Sequence, residues 1–237
     1  RAAELGIKVL ITDHHLPGAE LPSADAIVNP NNLGCNFESK ALAGVGVVFY
    51  LLAALRGELV KRGWFQQRDI KPPVMADFLD LVALGTVADV VPLDRNNRIL
   101  VEQGLRRIRS GRCCAGIRAL IRVSGRSAAN LSASDIGFAL GPRLNAAGRL
   151  DDISIGIAML LTDDESLAQE IATELDSLNR DRRLIEASMK DEAEQELESV
   201  LANTDDSGER NVLATGLSLF SENWHQGVVG ILASRLK

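Results

Sequence analysis

The sequence lacks the features that mark membrane-spanning, secreted or disulfide-bonded proteins. No run of about 18 apolar residues occurs, so no membrane-spanning helix is expected. Residues 1–6 contain no apolar segment of the kind found in a signal peptide. Cys35, Cys113 and Cys114 are too few and too irregularly spaced for a disulfide framework or a zinc knuckle. These absences favour a cytoplasmic protein whose cysteines stay reduced and have no chemical role.

Acidic and basic residues are separated along the chain, which matters more than the net charge of −6. Residues 103–150 contain nine arginines and one acid, Asp135, whereas residues 151–209 contain eighteen acids and four bases. One interpretation is two solvated surfaces that differ in charge. The other is a basic surface for phosphates beside an acidic connector.

Two short apolar segments predict parallel strands, an interior one over residues 7–12 and a second over residues 24–28 that ends in a turn. The alternation of strands, loops and helices predicts an α/β fold. A helix is expected from Leu42 to about Lys61. Gly44 and Gly46 in its first turns leave room for a neighbouring helix or for a phosphate.

Polar side chains follow the first predicted strand directly, in the order Asp13, His14, His15. Parallel sheets place ligands at the carboxyl ends of their strands, and imidazole with carboxylate is a common ligand set for divalent metals. The alternative is a polar turn with solvated histidines. Asp89 lies among valines and alanine, where a buried carboxylate needs either a metal or a backbone amide as partner.

Two further segments have the composition of phosphate sites. Residues 141–149 place Arg143, Asn145 and Arg149 between small residues, which leaves room for a ligand beside the guanidinium groups. A loop whose arginines cap helix ends is the alternative. His225, at a predicted strand-to-helix corner, has the placement of sites that bind phosphate at a helix amino end.

A long helix separates these two segments. A capping box is predicted at Thr162 and Glu165, and apolar residues then recur at helical spacing from residue 166 to about residue 202. The other face of this helix carries charge pairs that include Arg182 and Glu186. A helix of this length with one narrow apolar stripe is expected to connect two bodies. A polar linker follows over residues 203–211, and a strand over residues 212–217.

Six ordered blocks together resemble one family, the DHH phosphoesterases, and within it the RecJ branch. The blocks begin with Asp13-His14-His15 and cover nearly the whole chain. The others are Ala26-Ile27-Val28-Asn29-Pro30, Leu42-Ala43-Gly44-Val45-Gly46-Val47, Gly85-Thr86-Val87-Ala88-Asp89-Val90-Val91-Pro92-Leu93, Gly141-Pro142-Arg143-Leu144-Asn145-Ala146-Ala147-Gly148-Arg149 and Trp224-His225-Gln226-Gly227-Val228-Val229-Gly230-Ile231.

The resemblance implies a two-metal centre that uses Mn²⁺ or Mg²⁺. It assigns His14 and Asp89 as metal ligands and His15 as the group facing the scissile phosphate. Asp13 either orients the histidines or lies beside the metals. Two ligands cannot hold two metals. We therefore expect the remaining ligands upstream of Arg1 and the chain to be a fragment that is inactive alone.

The resemblance also implies the substrate and the domain order. A RecJ-like enzyme removes nucleotides from the 5′ end of single-stranded DNA, in DNA repair and recombination. Phosphate contacts are assigned to two sets of residues, Arg143, Asn145 and Arg149 on one wall and His225, Gly227, Ser234 and Arg235 on the other. The expected order is a parallel-sheet DHH domain over residues 1–161, a connector helix over 162–205, and the start of a second α/β, DHHA1-type domain over 206–237.

Two alternatives stay open. One is a phosphoesterase of the same superfamily that cuts small substrates such as oligonucleotides, cyclic dinucleotides or pyrophosphate. The other is a catalytically silent scaffold in a replication or repair complex. Scarce aromatic residues, 4% of the chain, mean that any platform for base stacking lies elsewhere. A single-strand-binding protein or a helicase is the expected kind of protein partner.

Overall fold

A computed structural model describes residues 1–202 and 218–236 of the chain. The strand predicted over residues 212–217, and the linker before it, lie outside the described residues. In the described part no helix is both long and apolar enough to cross a membrane.

Two parallel strands carry the amino-terminal part of the fold, as the sequence predicts. Strand β1 (Leu10–Thr12) pairs with β2 (Ala26–Val28), and Leu10 lies opposite Ala26 in the register. Strand β1 is shorter than predicted and is not interior within the described residues, since Leu10 is 55% exposed. The parallel direction nevertheless brings the ends of both strands to the same edge of the sheet.

Helices make up most of the rest. The described residues contain ten α-helices: α1 (Gly44–Lys61), α2 (Trp64–Gln67), α3 (Leu79–Ala88), α4 (Arg95–Arg109), α5 (Ala115–Val123), α6 (Ala133–Asp135), α7 (Gly141–Leu150), α8 (Ser154–Leu161), α9 (Glu165–Ala202) and α10 (Val229–Arg235). The largest apolar cluster joins side chains from α3, α4, α5, α7, α8 and the first turns of α9. Its fully buried members include Ile117, Leu120, Leu140 and Met159.

The segment of residues 141–149 lies on a helix and not in a loop. Helix α6 begins with a capping box between Ser132 and Asp135, a π-helical turn follows over Ile136–Leu140, and α7 continues directly from it. Pro142 falls in the first turn of α7, directly after the π-helical turn, where the regular i to i−4 hydrogen bonding is already interrupted. The loop alternative for this segment is therefore wrong, and its polar side chains project from a rigid element.

Helix α9 confirms the long helix predicted from residue 166 to about residue 202, with 38 residues and a length of about 57 Å at 1.5 Å per residue. The predicted capping box at Thr162 and Glu165 is wrong. The side chain of Asp164 accepts hydrogen bonds from the amides of Ser166 and Leu167, and Glu165 contacts Arg118 and Arg122 instead.

The prediction that Arg182 and Glu186 lie on the solvated face of α9 is also wrong. Arg182 is 8% exposed and Glu186 is 4% exposed, and both continue the buried stripe formed by Ala172, Leu175 and Met189. The segment of residues 218–236 covers this half of α9, where Val228 and Leu232 join Met189 and Ala193 in a small core.

The arginine-rich stretch is largely neutralised by nearby acids. Six of the seven arginines between residues 106 and 126 contact carboxylates. The pairs are Arg106 and Arg109 with Glu102, Arg107 with Asp77, Arg118 and Arg122 with Glu165, and Arg126 with Asp135. These contacts tie α4 and α5 to their neighbours and favour the first interpretation for this stretch, a set of solvated charges rather than a free surface for phosphates.

Candidate metal centre

The loop that leaves β1 is folded around one carboxylate. Asp13 Oδ1 accepts hydrogen bonds from the amide of His14 at 2.7 Å and of His15 at 3.2 Å, and lies 2.8 Å from His15 Nδ1. The contact with the His15 ring, followed by the backbone hydrogen bonds, lowers the pKa of Asp13 below its usual value. Asp13 therefore stays ionised and fixes both the turn and the direction of the His15 ring.

Two asparagines after β2 hold the same loop from the other side. Asn31 Nδ2 donates to the carbonyl of His14 at 2.7 Å, and Asn29 Nδ2 donates to the carbonyl of His15 at 2.9 Å. Because the strands are parallel and adjacent, the turn after β2 reaches the turn after β1. The sequence indicated only a turn at Asn29 and Asn31, so their positioning role was missed. Their occurrence directly after an apolar strand was the available signal.

Asp89 lies at the carboxyl end of α3 and is not buried, contrary to the expectation from its apolar neighbours. Its side chain is 42% exposed, and its backbone N–H bonds to the carbonyl of Gly85. Val90, the next residue, has φ of 60°, a left-handed conformation that a β-branched residue rarely adopts. This turn ends the helix abruptly and leaves the carboxylate of Asp89 at its tip.

A buried polar brace joins the segments on which the site is built. Asn97, which is fully buried, donates to the carbonyls of Ala41 at 2.7 Å and Pro92 at 2.9 Å. Asp94 caps α4 through the amide of Asn97 and also accepts a hydrogen bond from Ser39 at 2.6 Å. The residues that precede α1 and those that follow Asp89 are thereby held together.

His14 and Asp89 meet, although 75 positions separate them in the chain. Nε2 of His14 lies 3.5 Å from Oδ2 of Asp89, and the His14 side chain is 18% exposed. Gly44, at the start of α1, lies beside the imidazole, and a Cβ at this position would be in ordinary van der Waals contact with His14 Cδ2 at 3.6 Å. The first turn of α1 therefore packs against the His14 ring, a neighbour that neither sequence interpretation of Gly44 had considered.

The geometry of this pair suits a shared cation. Two ligands about 2.1 Å from one ion, at an angle of about 90–110°, are themselves ~3.0–3.5 Å apart. Over residues 1–202 and 218–236, no group of three or more His, Cys, Asp or Glu side chains is arranged to hold a metal. His14 and Asp89 can thus contribute two ligands of a metal centre, and further ligands have to come from elsewhere.

A cleft of about 1080 Å³ opens beside this pair. Of the predicted site residues, His14, Asp89, Asn145 and Arg149 line it. Its remaining wall is largely aliphatic, with α8 contributing Ile157 and Leu160. Asp13 and His15 lie outside the lining, and the His15 side chain is 75% exposed. Residues from β1, α3 and α7 therefore meet around one space.

Gly227 and Arg149 are in direct contact at the rim of this cleft. Arg149 Nη1 donates to the carbonyl of Gly227 at 3.0 Å. In the other direction, a Cβ on Gly227 would lie 2.2 Å from the carbonyl oxygen of Arg149, so only glycine fits. The amide of Gly227 donates to His225 Nδ1 at 3.1 Å, which leaves the proton of a neutral His225 ring on Nε2. The segment of residues 218–236 is therefore docked on the end of α7.

The remaining predicted phosphate-binding residues lie outside the cleft lining. Arg143 is 13% exposed and is held by Asp176 at 2.8 Å and by the carbonyl of Ala139 at 2.6 Å. The Ser234 hydroxyl donates to the carbonyl of Ile231. Arg235 contacts Glu186 and is 58% exposed. Of these three residues, Arg235 is the one that presents its guanidinium to solvent.

Comparison with known proteins relates this site to metal-dependent nucleases. A model of the DHH family, N-terminal domain, matches residues 1–86. The single-stranded-DNA-specific exonuclease RecJ of Dickeya dadantii is 59% identical over 232 residues, which cover 98% of the chain and 39% of that protein. RecJ of Escherichia coli is 58% identical over 236 residues, which cover the whole chain and 40% of that protein.

Solved structures agree with these relatives. A crystal structure of exonuclease RecJ bound to manganese superposes with a TM-score of 0.75 at 34% identity, over 99% of the chain and 53% of that structure. RecJ of Thermus thermophilus in complex with Mn²⁺ also superposes with a TM-score of 0.75, at 35% identity, over 98% of the chain and 31% of that structure. The fold is thus confirmed, and the chain spans about two fifths of the length of the curated relatives reported above.

Proposed function

Because this chain belongs to the DHH family, within its RecJ branch, we propose that it carries part of the active site of a metal-dependent exonuclease that hydrolyses single-stranded DNA. The observation that supports this most directly is the contact of His14 Nε2 with Asp89 Oδ2 at 3.5 Å, on the wall of a cleft that also contains Asn145 and Arg149. The cleft thus combines a ligand pair for a cation with donors for phosphate.

Phosphodiester hydrolysis needs an activated water and neutralisation of the charge that develops on phosphate. Two bound divalent ions supply both when present. In this chain His14 and Asp89 would contribute ligands to them, and an imidazole ligand suits Mn²⁺ better than Mg²⁺. Asp13 Oδ1 accepts from Nδ1 of His15, so Nε2 of this exposed ring would donate to the scissile phosphate in the imidazolium form, because the single proton of a neutral ring lies on Nδ1.

The groups proposed to hold the substrate bind its phosphates and do not contact its bases. Asn145 and Arg149 lie on α7 and line the cleft, and the docked segment with His225 and Gly227 contacts Arg149 beside it. Phosphate contacts of this kind carry no sequence information. A cleft between a DHH domain (residues 1–161) and a second domain that starts near residue 206, joined by the connector, would admit a single backbone.

The finer points of the proposal rest on the family. They are digestion from the 5′ end to mononucleotides, a role in repair and recombination in the cytoplasm, and association with a single-strand-binding protein or a helicase. The remaining metal ligands would come from parts of the protein outside this chain.

The test uses the full-length protein and measures release of nucleotides while Mn²⁺ is titrated. Asp89→Asn and His14→Ala should each lower kcat/KM by more than about 100-fold, since residues that only support metal ligands already cost 10–100-fold. Asp181→Asn is the matched control, because Asp181 is an exposed acid on α9 that does not line the cleft. It should retain wild-type activity.

Three substrates separate the alternatives. A long single strand, the corresponding duplex and a dinucleotide are compared at equal concentration, with the label at either end. Preferential digestion of the single strand from its 5′ end supports the proposal. Faster cleavage of the dinucleotide would indicate a small-substrate phosphoesterase, and absence of metal-dependent cleavage of all three would indicate a scaffold.

A further inference from the structure

Three charged side chains meet where the docked segment lies on the connector helix. Glu186 Oε2 accepts a hydrogen bond from Arg182 Nη1 at 2.6 Å, and Glu186 Oε1 lies 2.7 Å from Arg235 Nε. Arg182 and Glu186 belong to α9, one turn apart, whereas Arg235 is the last residue of α10. The carboxylate of Glu186 is thus shared between two guanidinium groups from different elements.

The three side chains differ strongly in exposure. The side chains of Arg182 and Glu186 are 10% and 5% exposed, whereas that of Arg235 is 58% exposed. Asn179, one turn before Arg182, is also buried and accepts from Arg182 Nη2 at 3.3 Å. Arg182 therefore balances the charge of Glu186 inside the protein, and Arg235 extends from this buried pair into solvent.

The way in which Glu186 holds Arg235 leaves most of that guanidinium free. The pair meets from Nε to Oε1 at 2.7 Å, as an ion pair without hydrogen-bond geometry, and within the described residues the terminal nitrogens of Arg235 donate no hydrogen bond. An ion pair on the Nε side keeps the guanidinium beside Glu186 and leaves its terminal nitrogens able to bind a phosphate.

Arg143 provides the contrast. It is also held by a carboxylate of α9, but Asp176 and the carbonyl of Ala139 occupy Nε, Nη2 and Nη1 together. With 13% of its side chain exposed, Arg143 is a tether between α7 and α9. Arg143 and Arg235 are therefore not equivalent, and of the two Arg235 is the one left able to bind a ligand.

We propose that Glu186, with Arg182 as its buried counter-charge, is a positioning residue that aims Arg235 at a backbone phosphate of the DNA strand. This inference rests on the proposed function, since it takes the ligand of Arg235 to be a nucleic-acid phosphate. Without Glu186 the Arg235 side chain would keep its charge but sample several orientations. Each binding event would then have to fix one orientation, which costs conformational entropy.

The test removes the buried pair as a unit. Glu186→Gln alone would leave Arg182 without a counter-charge in the interior, which is strongly destabilising, whereas replacing both members by apolar residues is often tolerated. The variant is therefore Arg182→Met/Glu186→Met in the full-length protein. The matched control is Lys190→Met/Glu194→Met, an exposed pair with the same spacing on the same helix.

Binding of a 5′-phosphorylated oligothymidylate is measured without divalent metal, so that no cleavage occurs. We expect the affinity of the R182M/E186M variant to fall about tenfold, equivalent to about 1.4 kcal/mol, and that of the control to stay unchanged. The affinity of the Arg235→Ala variant should fall at least as far, and the slope of log affinity against log salt concentration should decrease in magnitude by about one. The triple variant should bind no more weakly than Arg235→Ala.

Each other outcome contradicts the inference. A further tenfold loss in the triple variant would mean that the pair acts independently of Arg235. Faster hydrogen exchange across residues 218–236 in R182M/E186M would mean that the pair serves docking. Unchanged DNA affinity of the Arg235→Ala variant would mean that Arg235 does not contact a phosphate. Mn²⁺-dependent cleavage by the wild-type protein is recorded in parallel, so that a failure of the proposed function is seen separately.

Discussion

Gly227 offers a sharp test of how the docked segment is held, because its substitution by alanine adds one methyl group against backbone. The added Cβ would lie 2.2 Å from the carbonyl oxygen of Arg149 and 3.0 Å from its carbonyl carbon. A normal contact between these atoms is more than ~3.0 Å, so the two backbones have to move apart by about 1 Å. No side-chain rotation can relieve a clash between two main chains.

The cost follows from what this movement breaks. Overpacking costs about 1–3 kcal/mol. Loss of the hydrogen bond from Arg149 Nη1 to the Gly227 carbonyl adds about 1 kcal/mol. The same movement would reduce the packing of Val228 and Leu232 against Met189. We expect Gly227→Ala to weaken docking of residues 218–236 by about 2–4 kcal/mol.

Hydrogen exchange measured peptide by peptide in the full-length protein resolves this local effect from global stability. Peptides that cover residues 218–236 should exchange at least ~30-fold faster in Gly227→Ala, and the KM for single-stranded DNA should rise. Gly230→Ala is the matched control, since a Cβ there meets no atom within 4 Å and alanine favours the helix α10. It should exchange as slowly as the wild type or more slowly.

A Gly227→Ala protein whose residues 218–236 exchange at the wild-type rate would contradict this prediction. The close approach of Gly227 to Arg149 would then not exist in solution. Equal acceleration in Gly227→Ala and Gly230→Ala would mean that any added methyl group loosens the segment, which the open space around Gly230 does not allow.

Two further predictions concern strain and burial. Val90→Gly should raise the free energy of unfolding by about 1 kcal/mol, because φ of 60° strains a β-branched residue and the Val90 side chain, 85% exposed, contributes little burial. Thermal denaturation measures this change, and a variant less stable than the wild type would contradict the prediction. Burial raises the pKa of Cys114 from 9.0 to about 11. Between pH 9.0 and about 11 the folded state therefore retains the thiol proton that the unfolded state loses. The free energy of unfolding should fall by about 2 kcal/mol as the pH rises through this range. Denaturant titrations of the wild type and Cys114→Ala should diverge there, and parallel curves would disprove the shift.

The strand and polar turn that carry the candidate site residues were predictable, because they follow from a local sequence pattern. An apolar run that ends in Asp13, His14 and His15 predicts a strand with a polar end, and parallel strands β1 and β2 confirm it. The connector α9 was equally clear from the periodicity of its apolar residues. The assignment of the chain to the DHH family, made from six blocks of residues, is confirmed by the comparisons. The roles of the individual site residues stay predictions.

Errors arose where a partner distant in sequence decides the environment. Arg182 and Glu186 have the spacing of a solvated pair, yet residues 218–236 cover them. Asp89 has apolar neighbours in sequence, yet the turn at Val90 leaves it exposed. The arginines near residue 118 left open whether they form a basic surface for phosphates or solvated charges, and acids such as Glu165, which reach them from other elements, favour the second.

The sequence by itself determined the secondary structure that presents the site, because helix and strand periodicity, capping and turn formation are local properties of a few neighbouring residues. Tertiary structure decided which side chains meet. The 3.5 Å contact of His14 with Asp89, the support of the Asp13 loop by Asn29 and Asn31, and the shared carboxylate of Glu186 all join residues that no local pattern relates. Burial and charge pairing depend on these meetings in space, and so the environment of each functional group was set only when the chain had folded.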